Sequence, residues 1–184
     1  IWVTAEKQGQ VAASYFWVGS EAKIGGIQPT FWKTYDGKIP NDSRVDTVLG
    51  WLDLPREKRP TMITMYFSDT DDAGHGHSPA GVEVKEAVKT VDGNIARLLD
   101  GLKNRKIDKK VNIIIVSDHG MAAVDQTNAI IMDDHFSFDD TERILWTGEI
   151  VQIFPKAGKE DMIMSALEKP GLRTTCWRKK DIPD

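Results

Sequence analysis

The sequence is poor in cysteine: the single thiol in its 184 residues, Cys176, cannot close a disulfide within the chain. That fits a reducing compartment, though single-cysteine chains also occur among exported proteins. Basic excess is missing as well. Lys and Arg total 24 against 28 Asp and Glu, for a net charge of -4, which argues against a protein that coats nucleic acid by releasing counterions. No apolar run approaches the roughly 20 residues needed to span a bilayer. No signal-peptide pattern, internal repeat or low-complexity tract is found in these residues. The chain opens on Ile1-Trp2-Val3 rather than Met and stops on Asp181-Ile182-Pro183-Asp184. Those ends read as the ends of a piece cut from something longer. Asn41-Asp42-Ser43 matches a glycosylation acceptor, a pattern common by chance. Histidine is scarce too, with four residues, yet three of the four fall in two short motifs.

The first motif is Asp69-Thr70-Asp71-Asp72-Ala73-Gly74-His75-Gly76-His77. It follows an apolar run, 62–67, that reads as a buried strand. It precedes Ser78-Pro79, which reads as a helix start. An Asp/His-rich loop at the carboxyl end of a strand is where open α/β sheets place ligands. The second motif, Ser117-Asp118-His119-Gly120-Met121, follows another apolar run, 111–116. Between them Val84, Val88, Val91, Ile95, Leu98 and Leu102 step by four and three, the stripe of a helix packed on a sheet. Strand, helix, strand predicts a right-handed βαβ unit with parallel strands. The carboxyl ends of parallel strands share an edge, so Asp71, His75, Asp118 and His119 are expected on one rim.

In chain order, residues 1–8 predict a short helix and 11–18 a strand. Residues 21–42 predict a mostly irregular loop carrying Phe31, Trp32 and Tyr35, and a loop of that length is usually functional. Ser43 is expected to cap a helix to Leu52. Further strands are expected at 129–132, 143–146, 150–154 and 174–177, with a turn at Gly148 and a helix at 161–167. The fold class is therefore α/β with a mainly parallel sheet including 11–18, 62–67 and 111–116.

Each candidate has an ordinary structural reading. Asp71 and His75 fit a solvated polar loop, or a metal site once His77 and the second motif are counted. Asp118-His119 fits a helix cap with a surface His equally well. His77 is read as orienting the loop or touching substrate, and His135 as a surface residue. Trp17, Trp32, Tyr35 and Tyr66 are core candidates on composition, and Cys176 a small buried hydrophobe. Carboxylate plus imidazole suits zinc or a related divalent ion. A catalytic zinc usually takes about three protein ligands, so four candidates cannot complete two such sites.

These motifs together, 69–79, 82–102 and 113–121, resemble the nucleotide pyrophosphatase/phosphodiesterase family of the alkaline phosphatase superfamily. The likeness continues through residues 1–6, 16–21, 33–37 and 176–179, and covers essentially the whole chain. It implies an alkaline phosphatase-like three-layer αβα fold, incomplete in this chain. It implies two Zn2+ ions in the intact enzyme, with Asp71 and His75 as ligands of one and Asp118 and His119 as ligands of the other. Trp17, Tyr35 and Tyr66 match positions lining the family's nucleotide pocket, while Trp32 keeps its core reading. The family's Thr nucleophile and further zinc ligands match no residue here, which implies that residues 1–184 are the central part of a single catalytic domain, so empty, partly filled or poorly ordered metal positions and no activity are expected of this chain alone. The resemblance further implies hydrolysis of nucleotide phosphodiester or pyrophosphate bonds, and a secreted, periplasmic or membrane-anchored setting. Three alternatives stay open: a phosphomonoesterase, mutase or phosphonate hydrolase on the same core, a binding relative without turnover, and a single-metal hydrolase of another type.

Overall fold

The computed structural model describes residues 1–147 and 150–183, which divide into two compact units, Ile1–Ala123 and Val124–Asp184. In the first, helix α1 (Trp2–Lys7) leads to strand β1 (Ala12–Tyr15), edge strand β2 (Phe31–Lys33), helix α2 (Asn41–Leu52), strand β3 (Met62–Met65), helix α3 (Asp69–Gly76) and helix α4 (Val82–Asn104). The sheet order is β2-β1-β3 with both pairings parallel, Ser14 lying opposite Trp32 on one side and Thr64 on the other. Every residue of β1 is buried, as expected of the central strand of a parallel sheet.

The strand expected over 11–18 is cut to four residues by Phe16, whose φ of 66° lies in the left-handed region. That conformation is costly for a residue with a Cβ and cannot continue a strand. Trp32, read as core, is 37% exposed, because β2 is the sheet edge. The segment expected as a loop over 69–77 is mostly helical. Asp69, Asp71 and Asp72 fall in the first turn of α3, where negative charge complements the helix dipole. Ser78-Pro79 does not start α4. The Ser78 carbonyl instead accepts the Gly81 amide at 2.7 Å, and Gly81 caps the helix.

The larger correction concerns 111–116. Its apolar composition predicts a buried strand, but no strand is assigned there, and Ile114 is 85% exposed. No neighbouring strand pairs with it among the described residues. Helix α4 does pack its predicted stripe inward at Val84, Val91, Ile95, Leu98 and Leu102, but Val88 lies outside it. Gly101 permits a close approach to α2: a Cβ there would meet the Leu49 methyls, one at 2.7 Å and the other closer. Val45, Leu49 and Leu102 form the resulting core cluster.

Glu6 ties α1 to the sheet by accepting hydrogen bonds from Ala12 N at 3.0 Å, Thr30 N at 2.8 Å and Thr30 Oγ1 at 2.8 Å. Desolvation pushes its pKa up, but these donors outweigh it and hold the carboxyl below its ordinary 4.5. A carboxylate depressed in the folded state stabilises above its unfolded pKa, and that stability is lost as pH falls through the folded value. Glu6→Gln is therefore expected to lower the melting temperature at pH 7 and to shrink the further loss on acidification below 4.5, read from melts at both pH values. An unchanged acid limb would remove Glu6 from that role.

The second unit holds an antiparallel pair, β4 (Thr141–Thr147) and β5 (Ile150–Pro155), and helix α5 (Glu160–Leu167). The turn expected at Gly148 lies outside the described residues. Strands expected at 129–132 and 174–177 are not formed; 3-10 turns occupy 126–128 and 132–134. Phe136, Ile163, Ala166 and Leu167 make the core, with Cys176 half-buried against it. Burial pushes the Cys176 thiol pKa up, consistent with an inert packing residue.

Candidate functional site

Helix α3 begins four residues after β3 ends, so its Asp/His side chains stand beside the carboxyl edge of the sheet. One helical turn separates Asp71 from His75 and puts both on one face. His75 Nε2 lies 3.4 Å from Asp71 Oδ1. The second motif arrives at the same atom: His119 Nε2 lies 3.6 Å from Asp71 Oδ1 and 3.7 Å from Asp118 Oδ2. The convergence expected of the two motifs is thus present, although no sheet pairing of 111–116 produces it.

The polar chemistry around Asp71 fits a cation. Its Oδ1 is buried and accepts no hydrogen bond, a costly state for a carboxylate oxygen. The two imidazole nitrogens beside it are beyond hydrogen-bond length. Two donors each about 2.1 Å from one tetrahedral zinc stand about 3.4 Å apart, which is the spacing seen. His119 Nδ1 lies 2.8 Å from the Gly120 carbonyl. A carbonyl can only accept, so Nδ1 carries the proton. In the neutral ring the Nε2 lone pair then faces Asp71, as in imidazoles oriented for metal binding. The local turn is fixed by His119 N donating to Asp118 Oδ1 at 3.1 Å and by the Ser117 hydroxyl donating to the His119 carbonyl. Among the described residues no group of three or more His, Cys, Asp or Glu stands as a formed metal cage. The four residues meet pairwise around Asp71. His77 stands apart, with Nδ1 3.9 Å from Glu83 Oε1.

Of the three aromatic candidates, Tyr66 lies beside this cluster and Tyr35 beside Tyr66. Tyr66 follows β3. Burial, then the charges of Asp71 and Asp118 and the neighbouring Tyr35, push its hydroxyl pKa up. Tyr35 is 48% exposed; its amide donates to Glu21 Oε1 at 2.7 Å and its ring meets Phe16 edge-on at 5.1 Å. Trp17 is half-buried and packs against the cluster of Trp2, Ala5 and Ala12.

Arg44 and Phe16 escaped notice in the sequence. Arg44, 2% exposed, donates to the carbonyls of Ile39 at 3.0 Å, Tyr66 at 3.2 Å and Gly37 at 3.5 Å. Its guanidinium lies 5.0 Å from the Phe16 ring centre. It thereby links the Tyr35 loop to the end of β3. A separate cavity of about 630 Å³ lies beside Arg44, Asp42, Asp69, Asp72 and Asn94 and includes none of the four candidate metal ligands.

A parallel α/β sheet with a carboxylate–imidazole cluster at its carboxyl edge defines a class rather than a protein; comparison with known proteins defines the family. The chain belongs to the type I phosphodiesterase / nucleotide pyrophosphatase family, whose model matches residues 1–184. It is 38% identical over 180 residues to venom phosphodiesterase CdcPDE of Crotalus durissus collilineatus, covering 98% of this chain and 22% of that protein. It is 43% identical over 121 residues to human ectonucleotide pyrophosphatase/phosphodiesterase family member 1, covering 66% of this chain and 13% of the relative. Murine ectonucleotide pyrophosphatase/phosphodiesterase 5 superposes with a TM-score of 0.88 at 26% identity, over 99% of this chain and 48% of the other. An inactive threonine-to-alanine variant of that murine protein in complex with AMP superposes with a TM-score of 0.81 at 26% identity, over 91% of this chain and 44% of the other. The chain thus spans about a fifth of the first curated relative and about half of the solved ones. The α/β sheet with covering helices is the alkaline phosphatase-like fold that the motifs implied.

Proposed function

We propose that this chain supplies the metal-holding and nucleoside-facing part of a centre that hydrolyses phosphodiester or pyrophosphate bonds of nucleotides, with a Thr nucleophile contributed from outside residues 1–184. The observation that carries the reading is the meeting of His75 and His119 at the unpartnered Asp71 Oδ1 in a chain whose relatives are phosphodiesterases. In this reading Asp71 and His75 hold one zinc, and Asp118 and His119 a second. When bound, zinc supplies Lewis acidity toward phosphoryl oxygens. The chain's own residues fix where that charge sits. Gly120 holds the His119 tautomer, and Asp118 holds its turn. Tyr35, Tyr66 and Trp17 position the nucleoside, Tyr35 offering an exposed ring beside Tyr66; the AMP bound by the murine relative's variant supports a nucleotide substrate. The 184-residue chain alone is expected to be inactive.

The test uses the longer protein that contains this chain. A nitrophenyl ester of a nucleoside monophosphate should be cleaved faster than nitrophenyl phosphate, with loss on chelation and recovery with zinc. The reverse preference would favour a monoesterase, and chelator-resistant turnover would contradict the metal reading. Stacking of a base on an aromatic ring is worth roughly 1–3 kcal/mol. Tyr35→Ala should therefore cost nucleotide esters about 10- to 100-fold in kcat/KM and small nitrophenyl phosphates much less. Equal losses on both would make Tyr35 a structural residue.

A further inference from the structure

Among the described residues the turn that carries Asp118 and His119 follows no paired strand, so another contact must fix its place. From Asn112 to Asp125 every residue is exposed except Met121, which is half-buried. Its side chain lies on Gly74, the one buried residue of α3. A Cβ at residue 74 would meet Met121 Cε at 2.9 Å and Cγ at 3.6 Å, and would overlap Sδ. The thioether therefore occupies the space that any side chain at 74 would fill. Gly74 follows Asp71 by three residues and so lies on the same helical face; Met121 follows His119 by two. The two segments touch at two neighbouring points, His119 on Asp71 and Met121 on Gly74.

Gly74 is costly where it stands. A glycine inside a helix disfavours it by roughly 1 kcal/mol relative to alanine, and α3 has only eight residues. Local propensity argues for alanine, whereas close approach of another chain segment argues for glycine. Methionine suits the opposing position because its unbranched, polarisable thioether reaches into a narrow gap and adapts to it.

We propose that Met121 is a positioning residue: its thioether, seated on the bare backbone of Gly74, docks the 117–121 turn onto α3 and sets the approach of His119 to Asp71. The docking stands on packing alone. Its consequence for ligand geometry rests on the metal-binding reading above.

Steric complementation separates the two. The full 184-residue chain is prepared as wild type, Gly74→Ala, Met121→Ala and the double variant, with methionine methyl groups labelled for NMR. The wild type should show nuclear Overhauser contacts from the Met121 methyl to Gly74 and from the His119 ring to Asp71. Gly74→Ala should lose both while melting no lower than wild type, since alanine favours the helix. Met121→Ala should lose the His119 contact. The double variant, in which the new methyl fills the space left by the thioether, should recover it. Zinc titrated into each should bind about tenfold more weakly in both single variants than in wild type, the scale of a misoriented ligand, with recovery in the double. Retention of the His119–Asp71 contact in Gly74→Ala overturns the docking role, whatever zinc does. Docking contacts that respond as stated, in a wild type that binds no zinc, support the docking independently of the metal reading, which is tested on the longer protein.

Discussion

Replacing Asp71 by alanine is expected to weaken zinc binding by at least about a hundredfold, since loss of a group that merely orients a ligand costs about 10- to 100-fold and Asp71 is proposed as a ligand itself. Its Oδ1 is the atom to which both His75 and His119 point, at 3.4 and 3.6 Å. Stability should respond differently. The oxygen is buried without a hydrogen bond, and a polar atom in that state costs rather than contributes free energy. The carboxylate also sits in the first turn of α3, where its charge is worth about 0.3–1 kcal/mol. The two terms oppose, so the metal-free variant should stay within about 1 kcal/mol of wild type. Calorimetric titration and thermal melts read both quantities. Zinc affinity within threefold of wild type would remove Asp71 from the ligand set. A large loss of stability would recast it as a structural residue.

The second large effect concerns Arg44. Arg44→Met is expected to destabilise the chain by about 1–3 kcal/mol, the cost of leaving acceptors without their donor, because its guanidinium serves carbonyls of the half-buried Ile39 and Tyr66 as well as of the exposed Gly37, which water can reach. Three carbonyls lose their donor together, those of Gly37, Ile39 and Tyr66. The stacking on Phe16 is lost as well. Arg44→Lys should not rescue, since one ammonium cannot reproduce the planar fork that serves separate acceptors. Urea unfolding gives the number. A change below about 1 kcal/mol would show that water replaces the guanidinium at these carbonyls.

The four metal candidates were legible because their chemistry is dense and local: an acid and an imidazole four residues apart, and an acid–imidazole pair after an apolar run. The means of bringing them together was not. A βαβ unit was expected to carry Asp118 and His119 to the rim on a paired strand. In the structure 111–116 pairs with no strand among the described residues, and Met121, like His119, meets α3, a packing between distant residues that no periodicity announces. Residues 69–77 read as a loop in sequence because an Asp/His-rich stretch after a strand is the usual ligand-bearing loop of an open sheet, although Asp and Gly, which rank low in helix propensity, still form the helix α3 here. The dipole and the i, i+4 geometry outweigh that ranking. The end of β1 depends on one backbone angle at Phe16, and no composition rule places a phenylalanine at positive φ. Arg44 reads as a surface charge in sequence, although it lies on the same buried face of α2 as Val45 and Val48. Its burial becomes intelligible only once the loop carbonyls it serves are seen.

The most direct measurement is diffraction from crystals of the longer protein that contains this chain, grown with zinc, with anomalous data collected on both sides of the zinc absorption edge. The account predicts anomalous density about 2.0–2.2 Å from a carboxylate oxygen of Asp71 and an imidazole nitrogen of His75, absent from Asp71→Ala crystals grown alike. Wild-type crystals at saturating zinc with no density within reach of Asp71, or with density only at sites that Asp71→Ala retains, would contradict it.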